Sequence, residues 1–235
     1  GEVMTAQKNQ TKFIAIGVAA AIAAIIVVVL VVGGGGSSSS TTNTAADVSL
    51  TDETESTNSV ATGTATAAGE YQTVEATGEI LSGLEDPNND PARGAVAPVL
   101  KGFAFDGTPL TIAPTGKPKM VVFLAHWCSH CNAEVPRLIE WKDSGTMPGD
   151  MEVIGVSTGA RDDAPNWPPS QWVVDKGWPW PVMADSEDQG AALAFGVSGY
   201  PGLLLLDGDG KVLARRSGEA SIEELTAWTQ EFLPL

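Results

Sequence analysis

The amino-acid sequence predicts an α/β domain, a three-layer sandwich with helices on both faces of a mixed central sheet. Three observations predict it. Apolar runs of strand length, Met120–Ala125, Met151–Ser157 and Leu203–Leu206, alternate with segments that carry helix caps and helical spacing. The last of these runs leads into an Asp207-Gly208-Asp209-Gly210 turn, a returning strand and a final amphipathic stretch. The only two cysteines of the 235 residues, Cys128 and Cys131, lie where the first apolar run gives way to a helix.

The elements follow in order. Phe103-Ala104-Phe105 and Leu110-Thr111-Ile112 flank Asp106-Gly107, a hairpin signal. Met120–Ala125 is the central buried strand. A helix runs from Ser129 to Lys142, with Pro136 inside it removing one backbone hydrogen bond and kinking it. Met151–Ser157 is a second buried strand. Residues 161–169, rich in Pro and Asp, form a loop, and Ser170–Lys176 is a short helix closed by Gly177. Trp180–Met183 is a third short strand. Ser186, with Gln189 three residues on, caps a helix that ends near Gly196. Leu203–Leu206 and Lys211–Arg215 form a hairpin. Ser221-Ile222-Glu223-Glu224 is a capping box, and Ile222, Leu225, Trp228 and Phe232 give the last helix one apolar face.

Ahead of this domain the composition changes twice. Phe13–Val32 is apolar, uncharged and long enough to cross a bilayer as one helix. Lys8 and Lys12 precede it, which keeps residues 1–12 in the cytoplasm by the positive-inside rule. A cleaved signal peptide would have a shorter apolar core and an A-x-A-like site, where this chain has Gly33–Gly36. Residues 33–79 are rich in Gly, Ser, Thr and Ala, contain no Lys or Arg and show no apolar period. They read as a flexible linker, which leaves residues 80–235 for the folded domain. The expected protein is single-pass in the cell membrane, with its C-terminal domain extracytoplasmic. Its 29 acidic and 13 basic side chains give a net charge of −16, with no basic stripe, so nucleic acid is not an expected partner. The charge serves solubility.

Trp127-Cys128-Ser129-His130-Cys131 carries the chemistry. Two thiols at the start of a helix can close a small disulfide and reopen it. Unpaired N–H groups and the helix dipole favour a thiolate at Cys128, which makes it a nucleophile. Covalent haem attachment would need His directly after the second Cys, where Asn132 stands. A structural zinc site needs four converging ligands, and the only histidines, His126 and His130, crowd the same short run. A static disulfide closing so short a loop would gain little entropy. No metal and no cofactor is expected beyond the redox-active Cys128–Cys131 disulfide.

With these motifs in place, the stretch Val96–Leu233 resembles thioredoxin-fold proteins of the TlpA/ResA-like branch, membrane-anchored thiol–disulfide oxidoreductases that act outside the cytoplasm. The resemblance rests on Phe123–Cys131, Glu134-Val135-Pro136, Val197-Ser198-Gly199-Tyr200-Pro201 and the Asp207–Lys211 turn. It implies a thioredoxin-like sandwich in which Cys128 is the exposed nucleophile and Cys131 the buried resolving thiol. It implies that the proline matching Pro201 is cis and faces the disulfide, and that residues 159–180 are an insertion. Trp127, Tyr200 and Pro201 then form the substrate-binding walls, where the backbone before a cis proline can pair with an extended peptide. Glu134 follows the family pattern and is a candidate proton relay to Cys131. The chain departs from the pattern at Val122, where thioredoxins carry a buried Asp, so Cys131 needs another route to lose its proton. Gly202 stands where many relatives have Thr. Ser129-His130 resembles the x-His dipeptide of DsbA-type oxidases and protein disulfide isomerases.

A protonated His130 would stabilise the Cys128 thiolate, favour the dithiol and make the disulfide a stronger oxidant. His126 is expected at the rim of the site. Trp167, Trp172, Trp178 and Trp180 gather in the insertion, as core or as groove lining. The leading expectation is an enzyme that forms disulfides in exported proteins and passes electrons to an unidentified membrane redox partner. The alternatives are an extracytoplasmic reductase, for example in cytochrome c maturation, and a non-redox binding or metal-handling module.

Overall fold

A computed structural model describes residues 68–233; the expected N-terminus 1–12, membrane span 13–32 and linker up to residue 67 lie outside the described residues. Among the described residues, no helix is long and apolar enough to cross a membrane. The strands are β1 (Glu75–Thr77), β2 (Val99–Phe103), β3 (Pro109–Ile112), β4 (Lys119–Leu124), β5 (Glu152–Ser157), β6 (Val182–Ala184), β7 (Gly202–Leu206) and β8 (Val212–Ser217). The helices are α1 (Ser129–Asp143), α2 (Pro169–Asp175), α3 (Gly190–Ala194) and α4 (Ile222–Phe232). The strands form one sheet in the order β1-β2-β6-β5-β4-β7-β8, with β3 paired to β2. β4, β5 and β6 run parallel, while β7 is antiparallel to β4 and β8 to β7. The sheet is therefore mixed.

β4 is buried along its whole length, and the alternation of its side chains builds two cores. Val121 and Phe123 face one side with Ile154, Val156, Leu204 and Leu206, covered by α3 and Phe195. Met120, Val122 and Leu124 face the other with Val153, Leu203 and Leu205. There they meet Val135, Leu138 and Trp141 of α1 and Leu225 of α4. Helices on both faces make the three layers. Gly155 in β5 allows one close approach, since a Cβ there would meet the Trp178 ring at 3.2 Å. α1 runs through Pro136 from Ser129 to Asp143, and the Ser221–Glu224 capping box closes reciprocally at 3.2 and 2.8 Å.

Three features differ from the sequence expectation. The linker expected over 33–79 does not extend to Glu79. Gly69 N–H donates to Phe105 C=O at 2.9 Å, Gln72 N–H to Asp185 C=O at 3.2 Å, and β1 pairs antiparallel with β2. Partners from distant parts of the chain order this polar segment, and composition does not reveal them. The helix expected from Ser186 to Gly196 shrinks to α3. Gln189 takes a left-handed backbone at its start (φ 61°); Ser186 caps it as expected, its Oγ accepting the Gly190 N–H at 2.9 Å, and Asp185 adds a second cap. Its buried carboxylate accepts from the N–H groups of Ser186, Ala191 and Ala192 at 2.8, 2.8 and 3.2 Å. The third expected strand begins two residues later, at Val182, because Trp180 leaves the sheet to pack edge-on against Trp178.

A buried ion pair fastens the segment before β2 to the sheet. Arg215 of β8 binds Asp90 through two nitrogens, one at 2.8 Å, and donates to the carbonyls of Ser82 and Phe195 at 2.9 and 3.1 Å. Burial alone would raise the Asp90 pKa; the Arg215 hydrogen bonds and the N–H of Ala92 outweigh it and hold the carboxyl below its usual range.

Candidate active site

The buried strand β4 aims the cysteine turn at the edge of the α1 core. Cys128 N–H donates back to Ala125 C=O at 3.0 Å, and Asn132 N–H donates to Cys128 C=O at 3.0 Å. Cys128 thus becomes the N-cap of α1 with extended backbone and no side-chain capping bond, leaving its sulfur available. Both cysteines are free thiols. Cys128 Sγ–H points to Tyr200 C=O at 3.5 Å, and Cys131 Sγ accepts Ala125 N–H at 3.5 Å. Cys131 is fully buried and Cys128 is 8% exposed. The expected order of access holds, but Cys128 is not an exposed thiol: it packs in the α1 core beside Trp127 and Tyr200. Burial pushes the Cys131 thiol far above its usual range, against the smaller effect of the Ala125 N–H.

Tyr200–Pro201 is a cis bond, placed directly before β7. The Tyr200 hydroxyl donates to Oε1 of Gln189, the residue with left-handed backbone, at 2.8 Å. The Trp127 ring stands edge-on to Tyr200 with centroids 6.2 Å apart. Its Nε1–H donates to Gly159 C=O at 2.7 Å, and the Arg161 guanidinium lies 4.5 Å over its face. Trp127, Tyr200 and Pro201 therefore come together around Cys128.

His126 is not at the rim. It is fully buried, with Nδ1 2.8 Å from Pro165 C=O and Nε2 3.1 Å from the Arg161 N–H. A carbonyl only accepts and a backbone N–H only donates, so this geometry requires the neutral imidazole protonated on Nδ1. Burial holds the His126 pKa below its usual value. The backbone carbonyl of His126 accepts from Asn132 and Asn166 side-chain amides at 3.0 and 2.9 Å. These bonds clamp the insertion onto the cysteine turn.

On the opposite side of the turn, the His130 side chain is 65% exposed, and its Nδ1 sits 2.8 Å from Glu219 Oε1. Glu219 Oε2 receives Arg137 Nη1 at 2.5 Å, and Arg137 Nη1 also reaches Glu134 Oε2 at 3.3 Å. The Glu134 side chain is wholly buried one turn beyond Cys131 on α1. Its Oε2 accepts the Ala220 N–H at 3.0 Å, while Oε1 has no hydrogen-bond partner among the described residues. Burial raises the Glu134 pKa against the Ala220 and Arg137 bonds. Val122 supplies no acid on the sheet side, so Glu134 is the carboxyl beside Cys131.

Trp172, Trp178 and Trp180 pack in the α1 core, while Trp167 is 37% exposed beside His126 and Tyr71. Several partners went unmarked in the sequence. Glu70 accepts from Ser170 N–H and Oγ–H at 2.9 and 2.6 Å, and the Tyr71 hydroxyl donates to Ala160 C=O at 2.9 Å. Both residues lie in what composition presents as linker. Glu219 belongs to an ordinary loop, and no spacing rule links it to His130. Among the described residues no cluster of three His, Cys, Asp or Glu side chains is placed to hold a metal ion.

Residues 94–215 match the AhpC/TSA family profile. The thiol:disulfide interchange protein HelX of Rhodobacter capsulatus is 30% identical over 146 residues, which cover 60% of this chain and 78% of HelX. The thiol-disulfide oxidoreductase ResA of Bacillus thuringiensis is 28% identical over 123 residues, 51% of this chain and 65% of ResA. Among solved structures, the thioredoxin domain of a thiol-disulfide oxidoreductase from Bacteroides vulgatus aligns with a TM-score of 0.49 at 23% identity, covering 60% of this chain and 98% of that domain.

Proposed function

This chain belongs to the AhpC/TSA family and is a thioredoxin-fold thiol–disulfide oxidoreductase, and we propose that its Cys128–Cys131 pair forms disulfides in extended segments of exported proteins. The observation that carries the reading is the setting of Cys128. Its sulfur lies at a helix N-terminus, 3.5 Å from the Tyr200 carbonyl and beside the cis-proline turn, with Cys131 one turn behind it.

From the oxidised form, a substrate thiolate attacks Cys128 Sγ. The Cys128–Cys131 bond breaks, a mixed disulfide forms, and Cys131 leaves as a thiolate. Burial makes that thiolate strongly basic, and Glu134 is the group placed to return a proton to it. The substrate's second thiolate then attacks its own partner sulfur and releases Cys128. The pair is now a dithiol carrying two more electrons, which a membrane redox partner removes. Trp127, Tyr200 and Pro201 hold the peptide; His130 favours the Cys128 thiolate. Residues 13–32 anchor the chain, with the domain on the extracytoplasmic side.

One observation favours the opposite direction, reduction of exported disulfides, for example in cytochrome c maturation. Glu219 engages His130 and offsets any positive charge its imidazole would present to Cys128. The same steps then run in reverse. The reduction potential of the purified protein separates the two: a value above that of thioredoxin, about −270 mV, supports disulfide formation, and one at or below it supports reduction. Loss of all thiol exchange in Cys128→Ser tests the shared premise.

A further inference from the structure

We propose that Glu219 is a positioning residue that sets the dithiol–disulfide balance, by coupling His130 between the cysteines to Arg137 and Glu134 beneath Cys131. Glu219 lies in the connection between β8 and α4, remote in sequence from the cysteine turn. Its two oxygens serve two partners: Oε1 takes His130 Nδ1 at 2.8 Å and Oε2 takes Arg137 Nη1 at 2.5 Å. Its neighbour Ala220 donates its N–H to the buried Glu134 Oε2, which Arg137 also reaches. The Glu219 carbonyl accepts from Arg216 Nη2 at 3.2 Å, and that guanidinium lies 5.8 Å over Trp228. The loop is thus held on both sides, and its carboxylate is directed at the cysteine turn.

The charge order is imidazole, carboxylate, guanidinium, carboxylate, running from the surface of the cysteine turn to its buried side. An imidazolium at His130 stabilises a Cys128 thiolate and so favours the dithiol. A carboxylate in contact with that imidazole opposes it. Glu219 therefore holds the pair closer to the disulfide than His130 alone would. The contact is partly solvated, at 65% and 31% side-chain exposure, so its effect is moderate and screened by salt.

The inference rests on Cys128–Cys131 being the exchanging pair and not on the direction of exchange. The full-length protein is equilibrated in glutathione buffers at pH 7 and its dithiol-to-disulfide ratio is read by alkylation. Glu219→Gln should raise the ratio about two- to fivefold, or about 10–20 mV at ~30 mV per decade. Glu219→Lys should raise it further, and Glu219→Asp should restore it toward wild type. In a His130→Ala background, Glu219→Gln should leave it unmoved, and 1 M salt should shrink the wild-type difference. No shift in Glu219→Gln, a fall in Glu219→Lys, or an equal shift without His130 overturns the proposal. Glu219 lies outside both hydrophobic cores. If Cys128→Ser leaves exchange intact, the underlying reading fails; if exchange needs Cys128 but the ratio ignores Glu219, only this inference fails.

Discussion

His126 Nε2 accepts the backbone N–H of Arg161 at 3.1 Å, and this bond joins the cysteine turn to the insertion that walls the site. The other ring nitrogen holds Pro165 C=O at 2.8 Å. Between these two contacts the loop turns so that the Arg161 guanidinium stacks on Trp127, next to Cys128. A residue in full burial therefore shapes the surface proposed to hold substrate.

That arrangement predicts a pH-dependent loop. Burial is the main cause of the lowered His126 pKa; the Arg161 charge adds to it, while the Pro165 carbonyl and Glu70 oppose it. The folded state then binds fewer protons than the unfolded state, whose His titrates near about 6.5. Stability from this contact is complete above that value and is lost as pH falls toward the lowered one. Hydrogen-exchange protection of the Arg161 amide should drop between pH 7 and pH 5. His126→Phe should remove the pH dependence while leaving the amide poorly protected throughout. Equal protection at both pH values in the wild type would refute the assignment.

Glu134 has the opposite sign. Burial raises its pKa, so the folded state holds the proton longer than the unfolded chain, whose Glu titrates near about 4.3. Its contribution is present below that value and is lost as pH rises through the raised one. Glu134→Gln should flatten the pH dependence of denaturant stability above about pH 4.3. It should also slow the Cys131 step by about 100-fold or more, the range of general acid–base effects. Stopped-flow resolution of a preformed mixed disulfide reads that step, and an unchanged rate would exclude Glu134 from proton transfer.

The depth difference between the thiols predicts their order of reaction. Cys131 is fully buried and its thiolate is strongly disfavoured, so a small alkylating reagent should label Cys128 first. Cys128→Ser should abolish exchange, while Cys131→Ser should accumulate mixed disulfides visible on non-reducing gels. Preferential labelling of Cys131 would reverse the roles.

The Asp90–Arg215 pair predicts a large loss of stability from a single substitution. Asp90→Ala leaves a buried guanidinium without its carboxylate and should cost about 3–5 kcal/mol in urea denaturation. Replacing both residues by apolar side chains of similar volume should cost much less, because no unpaired charge remains. A cost below about 1 kcal/mol for Asp90→Ala would place the pair among weak surface contacts.

The cysteine turn was legible in the sequence because its parts are neighbours in the chain. The apolar run of β4, the adjacent Trp127, the two cysteines and the helical segment after them all lie within one continuous stretch. The strand and helix periods, the hairpin glycines and the Ser221 capping box are likewise local signals, set by backbone geometry over a few residues. Polar partners across the fold carry no such period. Asp185 joins Ser186 in capping α3, His126 moves from the expected rim to full burial, and Glu70 and Tyr71 bind the insertion from a segment that resembles linker. Glu219 reaches His130 only because the β8–α4 connection returns over the start of α1. Residues adjacent in the chain were enough to locate the sulfur chemistry and the elements that present it. The charges that surround it emerge from the folded arrangement, because hydrogen bonds and ion pairs form between residues that folding, not chain order, brings together.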